Sequence, residues 1–414
     1  MPDATGTTRY NEKMKRIMDA VELRQPDRVP VAFQASFWLA RYGGISYREL
    51  MYNYDKAAEI MRSALIEFDP DQYYPVHATT IGRVSEAMGF KQIQWPGHGV
   101  GDNQPFQYLD REYMTADEYD DYIFDPTGFY LNKYLPRVGE AFEGLEELPK
   151  FAGLYYNHLL AQMRHFGNPG AVRALAALQK MAEESQRFIM HKIGFEKDMA
   201  SLGFPVTHGA ATNAPFDYFG DYFRGAKGIL TDMRRRPDKL LEAMEKAGVL
   251  LLRHALANAK ASGNAFVFIP IHWAPDSFMS QEQFLKFWWP QCRKIILGLI
   301  ENDLIPICLW ESVCTKRMEA IGDIPAGKAI YWFERSDLVT AKEVLGDVVC
   351  LRGNVSPSLM TTGSPEEVDA SCRHLIETVG KGGGFILDCA FGIPDETPLE
   401  NVRAMYQSVQ KYNA

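Results

Sequence analysis

Long apolar runs are missing from this 414-residue chain. No stretch of about 18 apolar residues occurs, so no membrane-spanning helix is expected. The N-terminus, MPDATGTTRYNEK, has no apolar core of signal-peptide length. Cysteine is sparse. The six thiols, Cys292, Cys308, Cys314, Cys350, Cys372 and Cys389, all fall in the last third, and none forms a CxxC pair. That usage suits a reduced cytoplasmic protein whose cysteines are buried hydrophobes, nucleophiles or metal ligands rather than disulfides. Net positive charge is also missing. Lys and Arg number 44 against 53 Asp and Glu, a formal charge of −9, which disfavours a nucleic-acid partner without a local basic face. The one basic run, MRRRP at 233–237, reads as a solvated helix end. No GxGxxG follows an early strand, which argues against a dinucleotide-binding Rossmann unit.

The C-terminal half is rich in alternating strand and helix signals. Residues 265–271 (AFVFIPI), 304–310 (LIPICLW), 328–333 (KAIYWF), 347–351 (DVVCL) and 385–387 (FIL) read as buried strands. Between them lie helix signals: Ser280 as a cap with acid in the first turn, a short helix over 315–321, another over 337–345, and Ser364-Pro365 as cap and first turn. Pro398 opens the last helix. Strands that are apolar throughout, separated by helices, mean a parallel sheet covered on both faces, either a (β/α)8 barrel or a doubly wound sheet. Residues 28–33 (RVPVAF) read as a first strand after a helix over 12–23, and 201–206 as a further strand candidate. Residues from about 100 to 200 read as a mostly helical insertion. The whole chain is expected to be one domain with an N-terminal helical extension over 1–25.

In a barrel, chemistry gathers at the C-terminal ends of the strands. There stand His272 and Trp273, then Glu311 and Cys314, then Glu334 and Arg335, then Arg352 and Asn354, and finally Asp388 and Cys389. Glu311, His272 and Asp388 are the candidate catalytic groups. His272, Glu311, Cys314 and Cys389 are the residue types of a catalytic zinc site, which takes three protein ligands and keeps a fourth position open. Cys314 and Cys389 read equally as small buried fillers. Arg352 and Asn354 are candidates for cofactor contact. Trp273, Trp310, Tyr331 and Phe333 flank the same rim and would line a pocket for a flat substrate, although some of them must fill core.

The stretch GNVSPSLMTTGSPEEVDASCRHLIETVGKGGGFILDCAFGIPDETPLENVRAM resembles the uroporphyrinogen decarboxylase-like superfamily. RIMDAVELRQPDRVPV and FRGAKGILTDMRRRPDKLL support the likeness. The resemblance implies a TIM barrel with an N-terminal helical extension. The superfamily holds the decarboxylase itself and zinc-dependent methyltransferases that work with corrinoid proteins. The decarboxylase's RQAGRY stretch is replaced here by AFQASFWLARYGGIS, in which Arg41 and Tyr42 remain. The methyltransferases' H-x-C pair is replaced by LWESVC, which offers Glu311 and Cys314, with His272 from the preceding strand and Cys389 as the last cysteine.

The resemblance thus implies a methyltransferase that moves a methyl group from a small donor, such as a methoxyaromatic, to the Co(I) of a separate corrinoid protein, with zinc at the site. A metal-free lyase or decarboxylase on the same barrel is the alternative, with Asp388 or Glu311 as general acid. A non-catalytic binding barrel is the third reading. Expected partners are the corrinoid protein and the methyl donor, with cobalamin carried by the former. Barrels of this class often pair, so a homodimer stays open.

Overall fold

The computed structural model describes residues 4–149 and 155–412. Eight barrel strands can be numbered in chain order: β1 Ala32–Phe33, β2 Gln72–Tyr73, β3 Ala210–Ala211, β4 Phe266–Ile271, β5 Ile305–Trp310, β6 Ile330–Phe333, β7 Cys350–Val355 and β8 Phe385–Cys389. Strands β3 to β8 pair in sequence order as one parallel sheet. β1 and β2 pair in parallel with each other. Two single bridges close the ring, Val31 to Leu387 beside β8 and Tyr73 to Val206 before β3. The result is the expected TIM barrel.

Side-chain parity then decides what faces the lumen, because strand neighbours point to opposite faces. Phe268, Ile307, Leu309, Trp332 and Ile386 form one cluster with Ile17, Ala20 and Val21 of the helix Ala4–Val21. That helix plugs the N-terminal end of the barrel, which explains why an amphipathic segment precedes the first strand. The alternate set, including Ile269, Ile271, Trp310, Tyr331, Phe333 and Leu387, packs outward in the larger core beneath the helices.

Local signals in the sequence set the helix starts. Ser280 and Ser364 each close a capping box, with Gln283 and Glu367. Asp337 caps Leu338–Leu345 by accepting from the Thr340 N–H. Among the described residues, the insertion is mostly helical between Tyr119 and Ser201 and ends in the 33-residue helix Pro169–Ser201. Two elements depart from the sequence reading. β2 lies in DPDQYYPV, too short to show a pattern, and a small three-stranded sheet spans Ile93–Pro96, Gly99–Val100 and Gln107–Tyr108. Residues 201–206 give only the bridge at Val206, because the long helix runs to Ser201. Among the described residues, no helix is long and apolar enough to cross a membrane.

Candidate functional site

Beyond β4 and β5, the inward parity of Phe268 and Leu309 continues to His272 and Glu311. The His272 Nε2 lies 3.3 Å from a Glu311 carboxylate oxygen. On the other side of the ring, Nδ1 donates to Asp221 at 2.7 Å. The other Asp221 oxygen accepts from the Trp273 indole at 2.6 Å. Below this layer, Asp217 accepts from the His272 backbone N–H at 2.8 Å and from the Trp288 indole at 2.6 Å. An imidazole is thus clamped between two carboxylates, and a third holds its backbone.

Asp217 and Asp221 come from the segment PFDYFGDYFR at 215–224, where Pro215–Phe219 is helical and Gly220–Arg224 widens into a π turn. Their spacing of four puts both acids on one face. That pair of acids in an otherwise aromatic run was the sequence signal for these residues. Both lie on a helical segment and not at a strand end, where barrel chemistry is expected, so position gives them no signal.

The electrostatics follow from this arrangement. Burial alone would lower the His272 pKa. The hydrogen bonds and charges of Asp221 and Glu311 override it and raise the ring to about 11. The side chain is still 35% exposed, because the mouth is open to water. Asp217 is fully buried, and burial together with the Asp221 charge lifts its carboxyl to about 7. Tyr108, on the small sheet, is largely exposed and lies within reach of the charges of His272, Asp221 and Glu311. Deeper in the lumen, His208 stacks on Phe268 at 5.3 Å and meets Tyr74 at 4.9 Å. Desolvation pushes that ring down to about 3, so it is neutral.

The sequence candidates separate sharply. His272, Glu311 and Trp273 meet at the mouth. Glu334 accepts from the Ser312 N–H at 2.5 Å beside them, and Asn354 donates to the Ser336 carbonyl at 2.7 Å. Cys314 is fully buried, with its thiol directed at the Glu311 carbonyl at 3.4 Å, and burial raises its pKa. Cys389 does not face the mouth. It points outward, with its sulfur 3.5 Å from that of Met405 on the helix Leu399–Lys411, and the inward side chain is its neighbour Asp388. Asp388 is paired with Arg352 at 2.7 Å, and that guanidinium lies 3.9 Å from the Trp332 ring centre. Both residues of the pair are sealed from solvent, so Arg352 is not displayed to a cofactor at the surface of the mouth. Trp310, Tyr331 and Phe333 are fully buried on the outer face, where Trp310 packs 5.5 Å from Trp288 and 5.3 Å from Tyr331. They are core and do not line a pocket, because each alternates with a lumen-facing neighbour and so turns away from the lumen.

The expected zinc ligands are therefore only half assembled. Among the described residues, no group of three or more His, Cys, Asp or Glu side chains is arranged to hold a metal. His272 and Glu311 form a two-donor pair, whereas Cys314 and Cys389 point elsewhere. A three-ligand catalytic zinc does not fit this donor set.

A parallel eight-stranded barrel with an acid-clamped histidine at its C-terminal mouth defines a class of TIM-barrel proteins with polar chemistry at the strand ends. Comparison with known proteins narrows the class. Residues 165–412 match the family Uroporphyrinogen decarboxylase (URO-D), and the chain belongs to it. The uroporphyrinogen decarboxylase of Mannheimia succiniciproducens is 27% identical over 224 residues, 53% of this chain and 59% of that protein. The uroporphyrinogen decarboxylase of Coxiella burnetii is 28% identical over 256 residues, 59% of this chain and 65% of that one. The chain thus spans less than two thirds of the length of these relatives. A methyltransferase from Methanosarcina mazei shares the fold along 96% of this chain and 98% of its own, with a TM-score of 0.60 and 16% identity.

Proposed function

We propose that the chain is a methyltransferase of the uroporphyrinogen decarboxylase-like superfamily. It takes a methyl group from a small neutral donor, with a methoxyaromatic as the fitting class. The observation that carries this reading is His272 held between Asp221 and Glu311 at the barrel mouth. In a methyl ether the C–O bond breaks, the methyl group passes to a nucleophile and the electron pair stays on oxygen. That oxygen needs a proton. An imidazolium with a pKa near 11 is loaded at every working pH and nearly matches a phenol, whose pKa is about 10. His272 donates, the alcohol leaves, and the ring is reprotonated from water. Asp221 acts as the positioning residue, fixing the ring through Nδ1. The acceptor in this reading is Co(I) of a separate corrinoid protein. The fold shared with the Methanosarcina mazei methyltransferase is compatible with the proposal, although at 16% identity it bears on fold alone.

The decarboxylase named in the relatives is the competing reading. Its tetrapyrrole substrate carries many carboxylates and calls for several cations at the mouth. Here the mouth gathers Asp221, Glu311 and Glu334 around His272, with Asp217 buried beneath them. Arg352 is bound to Asp388, Arg335 is exposed and pairs with Glu334 at 3.4 Å, and Arg41 lies at the carbonyl of Asp395. The charge pattern supports a neutral donor.

The test offers cob(I)alamin and a panel of small methyl ethers to the purified chain and follows conversion of the cobalt spectrum. Methyl transfer above the protein-free rate, lost in His272→Ala, is expected. No transfer to cobalt, together with release of CO2 from a carboxylic acid offered in parallel, would replace this reading with the lyase.

A further inference from the structure

The lumen holds an open space beneath the charged groups of the mouth. Ala211 of β3 pairs with Phe268 and so shares its inward parity, yet it is exposed. An exposed alanine on the inner face of a barrel means that no side chain fills the space beside its methyl group. The surroundings are flat and mostly apolar. Pro270 of β4 shares the same parity and is partly exposed. His208 stacks on Phe268 with the ring planes 27° apart, and Tyr74 meets Phe268 edge-on at 5.6 Å. The helix Ala4–Val21 closes the barrel below, so this slot opens toward the mouth.

One polar atom in the slot is left without a partner. The Thr207 hydroxyl gives its proton to the Tyr73 carbonyl at 3.1 Å. It therefore accepts from the His208 ring, whose Nδ1 lies 3.2 Å away. The one proton of the neutral imidazole is thus on Nδ1, and Nε2 carries a lone pair. Among the described residues, no group donates to that nitrogen. The ring is partly exposed, so Nε2 is open to a ligand. Burial, aided by the Lys192 and Arg352 charges, keeps the ring neutral, and Nε2 stays an acceptor at every working pH.

We propose that the slot selects a methyl donor with a free hydroxyl, a methoxyphenol, whose ring lies over Ala211 beside Tyr74 and Phe268 and whose hydroxyl donates to His208 Nε2. This rests on the methyl-transfer reading and names the donor more closely. A phenol is neutral below about pH 10, so Asp221 and Glu311 do not repel it. A fully methylated ring has acceptors only. On entering, it would displace water from Nε2 and leave that atom unpaired, and a site built around a ligand hydroxyl discriminates strongly against the analogue without one. Spacing sets the position of the hydroxyl. Phe268 and His272 are four residues apart on one strand face, roughly 13 Å. His208 lies at the level of Phe268, so its acceptor and the His272 proton donor stand at opposite ends of the slot. Oxygens across a ring from each other, as in 4-methoxyphenol, suit that separation, whereas oxygens on neighbouring carbons do not reach both.

Titration calorimetry without cobalt compares 4-methoxyphenol with 1,4-dimethoxybenzene, which lacks only the hydroxyl proton. The wild type is expected to hold the phenol at least about tenfold more tightly. His208→Phe keeps a ring on Phe268 and removes the acceptor, and the two ligands should then bind alike. Ala211→Leu fills the slot and should weaken both by about tenfold or more, with circular dichroism unchanged. Ring-nitrogen NMR of the wild type needs no variant: the His208 Nε2 should read as unprotonated and should shift with 4-methoxyphenol and not with the diether. Equal affinities in the wild type, a preference that survives His208→Phe, tight binding in Ala211→Leu, or a protonated Nε2 would each overturn the proposal. Its failure is separable from that of the reaction. A hydroxyl preference in binding without methyl transfer to cobalt keeps the slot and removes the methyltransferase. Transfer at equal rates from both ethers keeps the methyltransferase and removes the slot.

Discussion

Glu311→Gln separates a charged histidine from a neutral one at nearly constant volume. In the wild type, the Glu311 oxygen stands 3.3 Å from the His272 Nε2. Two unit charges at that distance interact by about 1.3 kcal/mol in bulk water and by about 5 kcal/mol at an effective dielectric near 20. At 1.36 kcal/mol per pH unit, this corresponds to a fall of about 1 to 4 units in the His272 pKa. The ring is one-third exposed, so screening favours the lower end, and a value near 9 to 10 is expected in place of about 11. The histidine then stays protonated at pH 7. Activity there should fall only modestly, whereas the basic limb of the pH–rate profile should move down by at least one unit. Stability follows the same linkage. The folded pKa is raised above the unfolded 6.5, so the stabilising contribution is fully present below 6.5. It is lost as pH rises toward 11, and the variant should lose it earlier. Ring-nitrogen NMR of wild type and variant reads the titration directly. A wild-type His272 that titrates near 6.5, or a limb that stays in place, would refute the imidazolium argument.

Asp221→Asn is expected to cost at least as much His272 basicity, since it removes the nearer carboxylate at 2.7 Å, and to distort the ring as well, seen as a lower kcat with the donor KM little changed. Cys389→Ser should keep activity and metal content unchanged and lower stability by on the order of 1 kcal/mol, because the thiol packs on Met405; loss of activity on this change would put Cys389 back in the site. Asp388→Asn strands the Arg352 guanidinium in the lumen and should cost about 3–5 kcal/mol in urea melts, with Arg352→Gln in the same chain recovering part of it; a nearly unchanged single variant would contradict the buried pair.

The barrel was legible because its strands in the C-terminal half are apolar on both faces and punctuated by caps. Ser280, Asp337 and Ser364 start helices where the sequence places them. β1 falls within the expected strand at 28–33, whereas β2 spans two residues and left no pattern to read. At the site, position at a strand end identified His272 and Glu311. It could not choose between neighbours, since a strand that is apolar on both faces gives no parity signal. Asp388 and Cys389 are such a pair, and the lumen received the acid. The same ambiguity made Trp310, Tyr331 and Phe333 look like pocket walls. In each case parity is fixed by pairing with the next strand: Cys389 shares the outward parity of its partner Val355, and Asp388 shares the inward parity of Asn354. Asp217 and Asp221 arrive from a helix distant in sequence, and strand reading does not reach them.

One structural logic links the lumen and the mouth. Arg352 and Asp388 neutralise each other beneath the site, and stacking on Trp332 removes the guanidinium from solvent. No cation is therefore left at that depth for a ligand carboxylate. One layer higher, Asp221 and Glu311 flank a single imidazolium, so the local charge is negative even with His272 protonated. An incoming carboxylate would meet like charges at contact range, at a cost of about 1 to 4 kcal/mol for each close pair. A neutral ether meets no such penalty. It needs only a donor for the oxygen on which charge develops, and the acids that repel an anion are the same groups that keep that donor protonated. On the proposed function, selectivity for a neutral substrate and readiness of the acid come from one arrangement, and changing Glu311 or Asp221 should weaken both together.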